Sequence, residues 1–317
     1  MLKRKAYDKL LAWKKTSQGR SALLIEGARR VGKSTLAREF GRNEYASCLC
    51  IDFFEAPDEV RGYFEDYRTD FDTLFLYLST YYGVELHRRN TLVVFDEVQV
   101  FPLARGLIKY LVADGRYDYI ETGSLLSIKQ NVQDIVIPSE EDPLSLDPLD
   151  FEEFLWAMGQ KQLADLIRLQ FATKKPLPDG LHARAMGLLR EYMLVGGMPE
   201  AVSTYVEKRT FAPIDEIKRR ILTLYRNDVA RFARGYEFKV VSVLDGIPGQ
   251  LSKHERNSLW PPSTRMPACG RTKRRSSGFL TRASRIRVLP RPTPAWACRS
   301  TWTSRRSNAT WQIRACS

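Results

Sequence analysis

The nine residues GARRVGKST, Gly27 to Thr35, constrain this chain more than any other stretch. They match the phosphate-binding pattern G-x-x-x-x-G-K-[S/T] at every fixed position. The flanks fit as well: Ala22 to Ile25 is a short apolar run of the kind that makes a buried strand, and Leu36, Ala37 and Phe40 recur at helical spacing after the loop. Glycines let such a loop curl so that its backbone N–H groups converge on phosphate oxygens at the positive end of the next helix. The expected cradle is Gly27, Ala28, Arg29, Arg30, Val31, Gly32, Lys33, Ser34 and Thr35. Within it, Lys33 would reach the β- and γ-phosphates of ATP and the Ser34 hydroxyl would ligate Mg²⁺.

A metal site of that kind needs a carboxylate, and TLVVFDEVQ supplies one. Thr91 to Phe95 reads as a second buried strand, ending in Asp96 and Glu97. Asp96 is expected to hold Mg²⁺, and Glu97 to act as general base on the attacking water. The third piece is YDYIETGSLLS, where Tyr117 to Ile120 reads as a strand with Thr122-Gly123-Ser124 beyond it. Ser124 is the candidate there to orient water or touch the γ-phosphate, although the triplet alone reads first as an ordinary turn. CLCIDFF (Cys48 to Phe54) makes another strand, while FDTLFLYLSTYYG and IKYLVAD carry helical periodicity. Together these predict a parallel α/β sheet with crossover helices and a ligand at the carboxyl ends of its strands.

The blocks GARRVGKSTLAREF, VVFDEVQ, ETGSLLS, PLDFEEFLWAMG (Pro148 to Gly159) and LVGGMPEAV (Leu194 to Val202) occur in one order. In them the chain resembles AAA-type ATPases that carry a domain of unknown function after the ATPase core. The resemblance runs from about Tyr7 to about Glu255. It implies a P-loop AAA+ core over residues 1–155, a mostly helical region opening an accessory domain over 156–255, ATP hydrolysis and conformational signalling. Within the helical region, Ile217 to Ala233 reads as a long helix with a basic face. Arg226 or Arg231 is a candidate arginine finger, in cis or across a homo-oligomer, although most exposed helix arginines are only solvated charges.

Residues 256–317 are of another kind. The chain's net charge is +13, yet this stretch holds thirteen Arg, one Lys and no acid. Residues 1–255 contain the other 36 basic residues and all 37 acidic ones, a net charge of −1. Four of the six tryptophans also lie in the tail. A basic arm for nucleic acid is one reading. The other is translation out of frame: synonymous codons for ATWQIRACS permit the shifted reading YMADTGLL, and RTKRRSSGFL permits AYEEAFFWLS. These shifted readings contain acids and look like the family's own continuation. The expectation is therefore a frame change near Glu255 to Asn257, a disordered tail, and a charge without function. Cys48 and Cys50 make neither a disulfide framework nor a ligand set, no apolar run approaches the ~20 residues of a membrane span, and no signal peptide is evident. The composite expectation is a cytoplasmic Mg²⁺-dependent ATPase acting as a conformational switch. The alternatives are a nucleic-acid-binding protein with a regulatory ATP site, and an ATP-binding remnant without turnover.

Overall fold

The computed structural model describes residues 2–124, 140–232 and 237–251. They divide into two units, the first up to Ile221 and the second from Leu222. The expected tail, 256–317, lies outside the described residues.

In the first unit, α1 (Lys5–Ser17) precedes β1 (Ala22–Gly27), α2 (Lys33–Glu44) and β2 (Ser47–Asp52). Helices α3 (Asp58–Asp66) and α4 (Phe71–Tyr82) lead to β3 (Thr91–Asp96), then α5 (Pro102–Asp114), β4 (Asp118–Ser124) and β5 (Glu141–Leu146). The five strands form one parallel sheet in the order β2-β3-β4-β1-β5. Helices cover both faces, so the central strands read as unbroken apolar runs rather than alternating ones. On β3, Leu92 and Val94 face Leu10, Leu36 and Phe40 of α1 and α2, while Val93 and Phe95 face Phe64, Leu74 and Ile108 of α3, α4 and α5. Every residue of β3 is buried.

Two sequence expectations change here. Thr122 and Ser124 do not sit in a turn. Both belong to β4, which pairs with β1 as far as Gly27 opposite Ser124. The strand continues because burial between β1 and β3 leaves its polar groups to the ladder. Strand β5 had no counterpart in the sequence reading. Its segment, EDPLSL, carries a proline and two acids, and it is accommodated at the sheet edge, where one side of the ladder needs no donor.

Four further helices follow: α6 (Phe151–Ala157), α7 (Lys161–Thr173), α8 (Asp179–Val195) and α9 (Pro199–Lys208). Asp150 and Glu153 close a capping box at the start of α6, with Phe154 and Leu155 buried behind it. Helix α8 stops at Gly196, whose φ of 81° an L-residue rarely adopts. Helix α10 (Ala212–Phe232) starts five residues before the expected Ile217. In the second unit, α11 (Glu237–Leu251) buries Val240 against Val241 and Leu244, and Arg226 pairs with Asp245 at 2.6 Å. No helix among the described residues is long and apolar enough to cross a membrane.

Candidate functional site

The loop between β1 and α2 turns through two residues of positive φ, Arg30 at 67° and Gly32 at 91°, and α2 starts directly at Lys33. A loop turned at alternate left-handed positions can aim successive backbone N–H groups into one concavity, the geometry that anions occupy. Lys33 is buried, and its Nζ donates to the carbonyl oxygens of Gly27 (3.3 Å) and Ala28 (3.0 Å). Burial pulls its ammonium below the usual lysine range, while the nearby carboxylates of Glu97 and Asp96 oppose that shift.

Asp96, at the end of β3, is the centre of the constellation. It is 2% exposed. The Ser34 hydroxyl donates to Asp96 Oδ1 at 2.7 Å, and the Thr122 hydroxyl donates to the same oxygen. On the other side, Arg38 Nη2 lies 3.2 Å from Asp96 Oδ2. The register explains the convergence: Phe95 pairs with Glu121 and Ile25 with Thr122, which puts the ends of β1, β3 and β4 at one level. Glu97 follows in the left-handed region at φ 53°, its backbone N–H 3.4 Å from Thr122 Oγ1. The Gln99 side-chain amide donates to Glu97 Oε2.

The structure thus brings Lys33, Ser34, Asp96, Glu97 and Thr122 together, with Ser124 as the last residue of β4. Arg226 belongs to the second unit and holds Asp245 there. Three participants were missed in the sequence. Arg38 lies one turn into α2 and carried no motif. Arg4 is buried, donating to the Val31 carbonyl in the loop (3.0 Å), to the Asp147 carbonyl (2.5 Å) and to Glu153 (3.2 Å). It clamps the loop to the start of α6, and a lone arginine 27 residues upstream gives no signal of that. The start of α9 also reaches the loop: Glu200 lies 3.8 Å from Arg30, and Pro199 stands beside Gly32. The block LVGGMPEAV carries the resemblance but gave no sign of this contact.

Oxygen donors converge at Ser34 and Asp96, the ligand type a hard divalent cation takes. Among the described residues no cluster of three or more His, Cys, Asp or Glu forms a metal site built from protein alone. A Mg²⁺ here would therefore be completed by water and phosphate oxygens, as Mg²⁺ commonly is.

The sequence matches an AAA domain over residues 19–155 and a domain of unknown function over residues 186–259. No curated protein matches it. Among solved structures, it is similar to AMPPCP-bound DnaA from Aquifex aeolicus, at 10% identity over 73% of this chain and 68% of that one, TM-score 0.35. It is similar also to the RuvB Holliday junction branch migration motor of Thermotoga maritima, at 12% identity over 62% and 72% of the two chains, TM-score 0.32. A third is the Aeropyrum pernix ORC1 protein in complex with DNA, at 17% identity over 99% and 89%, TM-score 0.36.

Proposed function

We propose that this chain, which carries an AAA domain of the P-loop NTPase fold, binds ATP with Mg²⁺ and hydrolyses it to ADP and phosphate. The observation that carries the reading is the three-way meeting of Ser34, Asp96 and Thr122 beside the phosphate loop. An isolated carboxylate at a strand end is commonplace; one receiving a hydroxyl from the residue after the loop lysine is poised for a metal–phosphate complex.

In this reading the cradle Gly27–Thr35 receives the phosphates and Lys33 exchanges its two carbonyl partners for β- and γ-phosphate oxygens. Ser34 and Asp96 would hold Mg²⁺, which when bound would supply positive charge against the phosphate oxygens. Glu97 accepts the proton of the attacking water, and Gln99 steadies its carboxylate. Thr122 and Ser124, ending the strand between β1 and β3, are set to sense the γ-phosphate. Arg226 is the candidate arginine finger, supplied in cis or by another copy in a homo-oligomer. The core is assigned to residues 1–155 and the helical accessory region to 156–255.

The test is an ATP titration with Mg²⁺ and with EDTA, alongside phosphate release. Tight binding that needs Mg²⁺ and is lost in Lys33→Ala supports the reading. Equal binding by Lys33→Ala, or none by the native chain, would overturn it.

A further inference from the structure

Strand β2 carries two cysteines that the ATPase chemistry leaves unused. Cys48 and Cys50 alternate with the fully buried Leu49 and Ile51, so both thiols point to the α2 side of the sheet. Their sulfurs lie 3.4 Å apart. Both are half-buried and line a cavity of about 480 Å³ together with Arg38 and Arg42. Their approach to α2 depends on Gly41: a Cβ there would fall 2.3 Å from Cys48 Sγ. A mid-helix glycine costs roughly 0.5–1 kcal/mol relative to alanine, and here it makes room for that sulfur. One turn earlier on α2, Arg38 holds the Asp96 carboxylate. The helix that begins with Lys33 and Ser34 thus touches the thiols through Gly41 and the metal-binding acid through Arg38.

We propose that Cys48 and Cys50 are a redox-active dithiol, a modification site for hydroperoxides, whose oxidation to a disulfide weakens Mg-ATP binding through α2. The coupling rests on the nucleotide reading above; the thiol chemistry does not. In the first step a thiolate attacks the peroxide O–O bond, giving a sulfenic acid and releasing the alcohol, or water from hydrogen peroxide. In the second, the neighbouring thiol attacks that sulfenic sulfur, forms the S–S bond and expels water. Two electrons pass from the sulfur pair to the peroxide. Cys50 is the better first nucleophile. The hydrogen bond from Cys48 holds its thiol below the usual range against the effect of burial, with Arg38 and Arg42 helping. The same hydrogen bond, with burial, pushes Cys48 well up.

The sulfurs must close from 3.4 Å to about 2.05 Å. Two residues of strand separate Cα atoms by roughly 6.6 Å, at the long end of the roughly 4.4–6.8 Å that disulfides span. Strand β2 can yield because, among the described residues, it is an edge strand paired with β3 alone. A bond made at that limit is readily reduced, which suits a switch rather than a staple. Closing it draws Cys48 off Gly41 and disturbs the turn of α2 that carries Arg38.

The experiment uses the full chain with Cys269→Ser, Cys298→Ser and Cys316→Ser, so that only the pair reports. After hydrogen peroxide, Cys48 and Cys50 should resist alkylation, their peptide should be lighter by two hydrogens, and dithiothreitol should reverse both changes. The Kd for Mg-ATP should rise about fivefold or more on oxidation, the lower end of ordinary coupling between sites, and Cys50→Ser should abolish that response. Thiols that stay fully alkylatable overturn the proposal. A disulfide that leaves Kd unchanged overturns the coupling. If the reduced chain binds no ATP, the nucleotide reading fails with the coupling while the thiol result stands.

Discussion

Asp96 and Glu121 are two buried acids on neighbouring strands, one residue out of step, and the fold treats them in opposite ways. Asp96 faces α2 and receives two hydroxyls and a guanidinium. Glu121 faces α5, is fully buried, and among the described residues no donor reaches either carboxyl oxygen; its carboxyl meets that of Glu141 instead. Arg105, the nearby cation among the described residues, is committed to Glu141 through two bonds of 3.0 and 2.7 Å. Burial therefore pushes the Glu121 carboxyl well above the usual range, with the Glu141 carboxylate adding to the effect. The contrast teaches that burial alone does not make a site. What separates the two acids is the supply of donors, and Thr122, next to Glu121 in sequence, gives its hydroxyl to Asp96 because alternate strand residues face opposite sides.

Removing the chemistry from each acid should break the comparison most visibly. Asp96→Asn should lose Mg²⁺-dependent ATP binding and at least about a hundredfold in turnover, the scale of losing one preorganised electrostatic partner. Its thermal midpoint should hardly move. Phosphate release within tenfold of the native chain would mean that the metal lies elsewhere. Glu97→Gln should lose turnover to a similar degree yet keep nucleotide affinity, since only the activation of water is gone. A parallel loss of binding would merge the two roles.

The arginines beside the acids come next. Arg105→Ala leaves the Glu141 carboxylate buried without its counter-charge and should cost about 3–5 kcal/mol in chemical denaturation. Arg38→Ala removes a half-exposed partner of Asp96 and should cost under about 1 kcal/mol. Equal costs would erase the distinction between a structural pair and a site pair.

The smallest effect is expected at Glu121 itself. An acid whose folded pKa is raised binds more protons folded than unfolded above the ordinary glutamate range, so native stability falls as pH rises through that window. Glu121→Gln removes this slope. The variant should match the native chain near pH 4 and exceed it progressively toward pH 8, with phosphate release unchanged. A variant less stable at pH 8 than at pH 4, relative to the native chain, would show that Glu121 is ionised and held by Arg105.

Much of the site was legible because its residues are local. The strand, loop and helix around Lys33 lie within 23 consecutive residues from Ala22 to Glu44, and backbone geometry ties glycine, lysine and serine to fixed positions there. Asp96 and Glu97 could be read from a strand ending in two acids. Thr122 to Ser124 was misread as a turn, since a short polar triplet carries no mark of its ladder partners. Strand β5 was invisible for a related reason. A proline and two acids contradict strand propensity, and only the free edge beside β1 makes them tolerable.

By itself, then, the sequence determined the glycine-rich loop, the acid at the end of the strand beside it, the parallel sheet and the sharp change of composition after residue 255. These follow from short-range periodicity and from residue types that one chemistry demands. The tertiary structure alone decided that Arg4 clamps the loop, that Arg38 holds Asp96, that Arg105 serves Glu141 rather than Glu121, and that two thiols meet over Gly41. Each of these depends on side chains from separate elements meeting at hydrogen-bond or van der Waals distance, or on which of two neighbours wins a shared partner. Such pairings are set by strand register and helix docking, which no local pattern encodes.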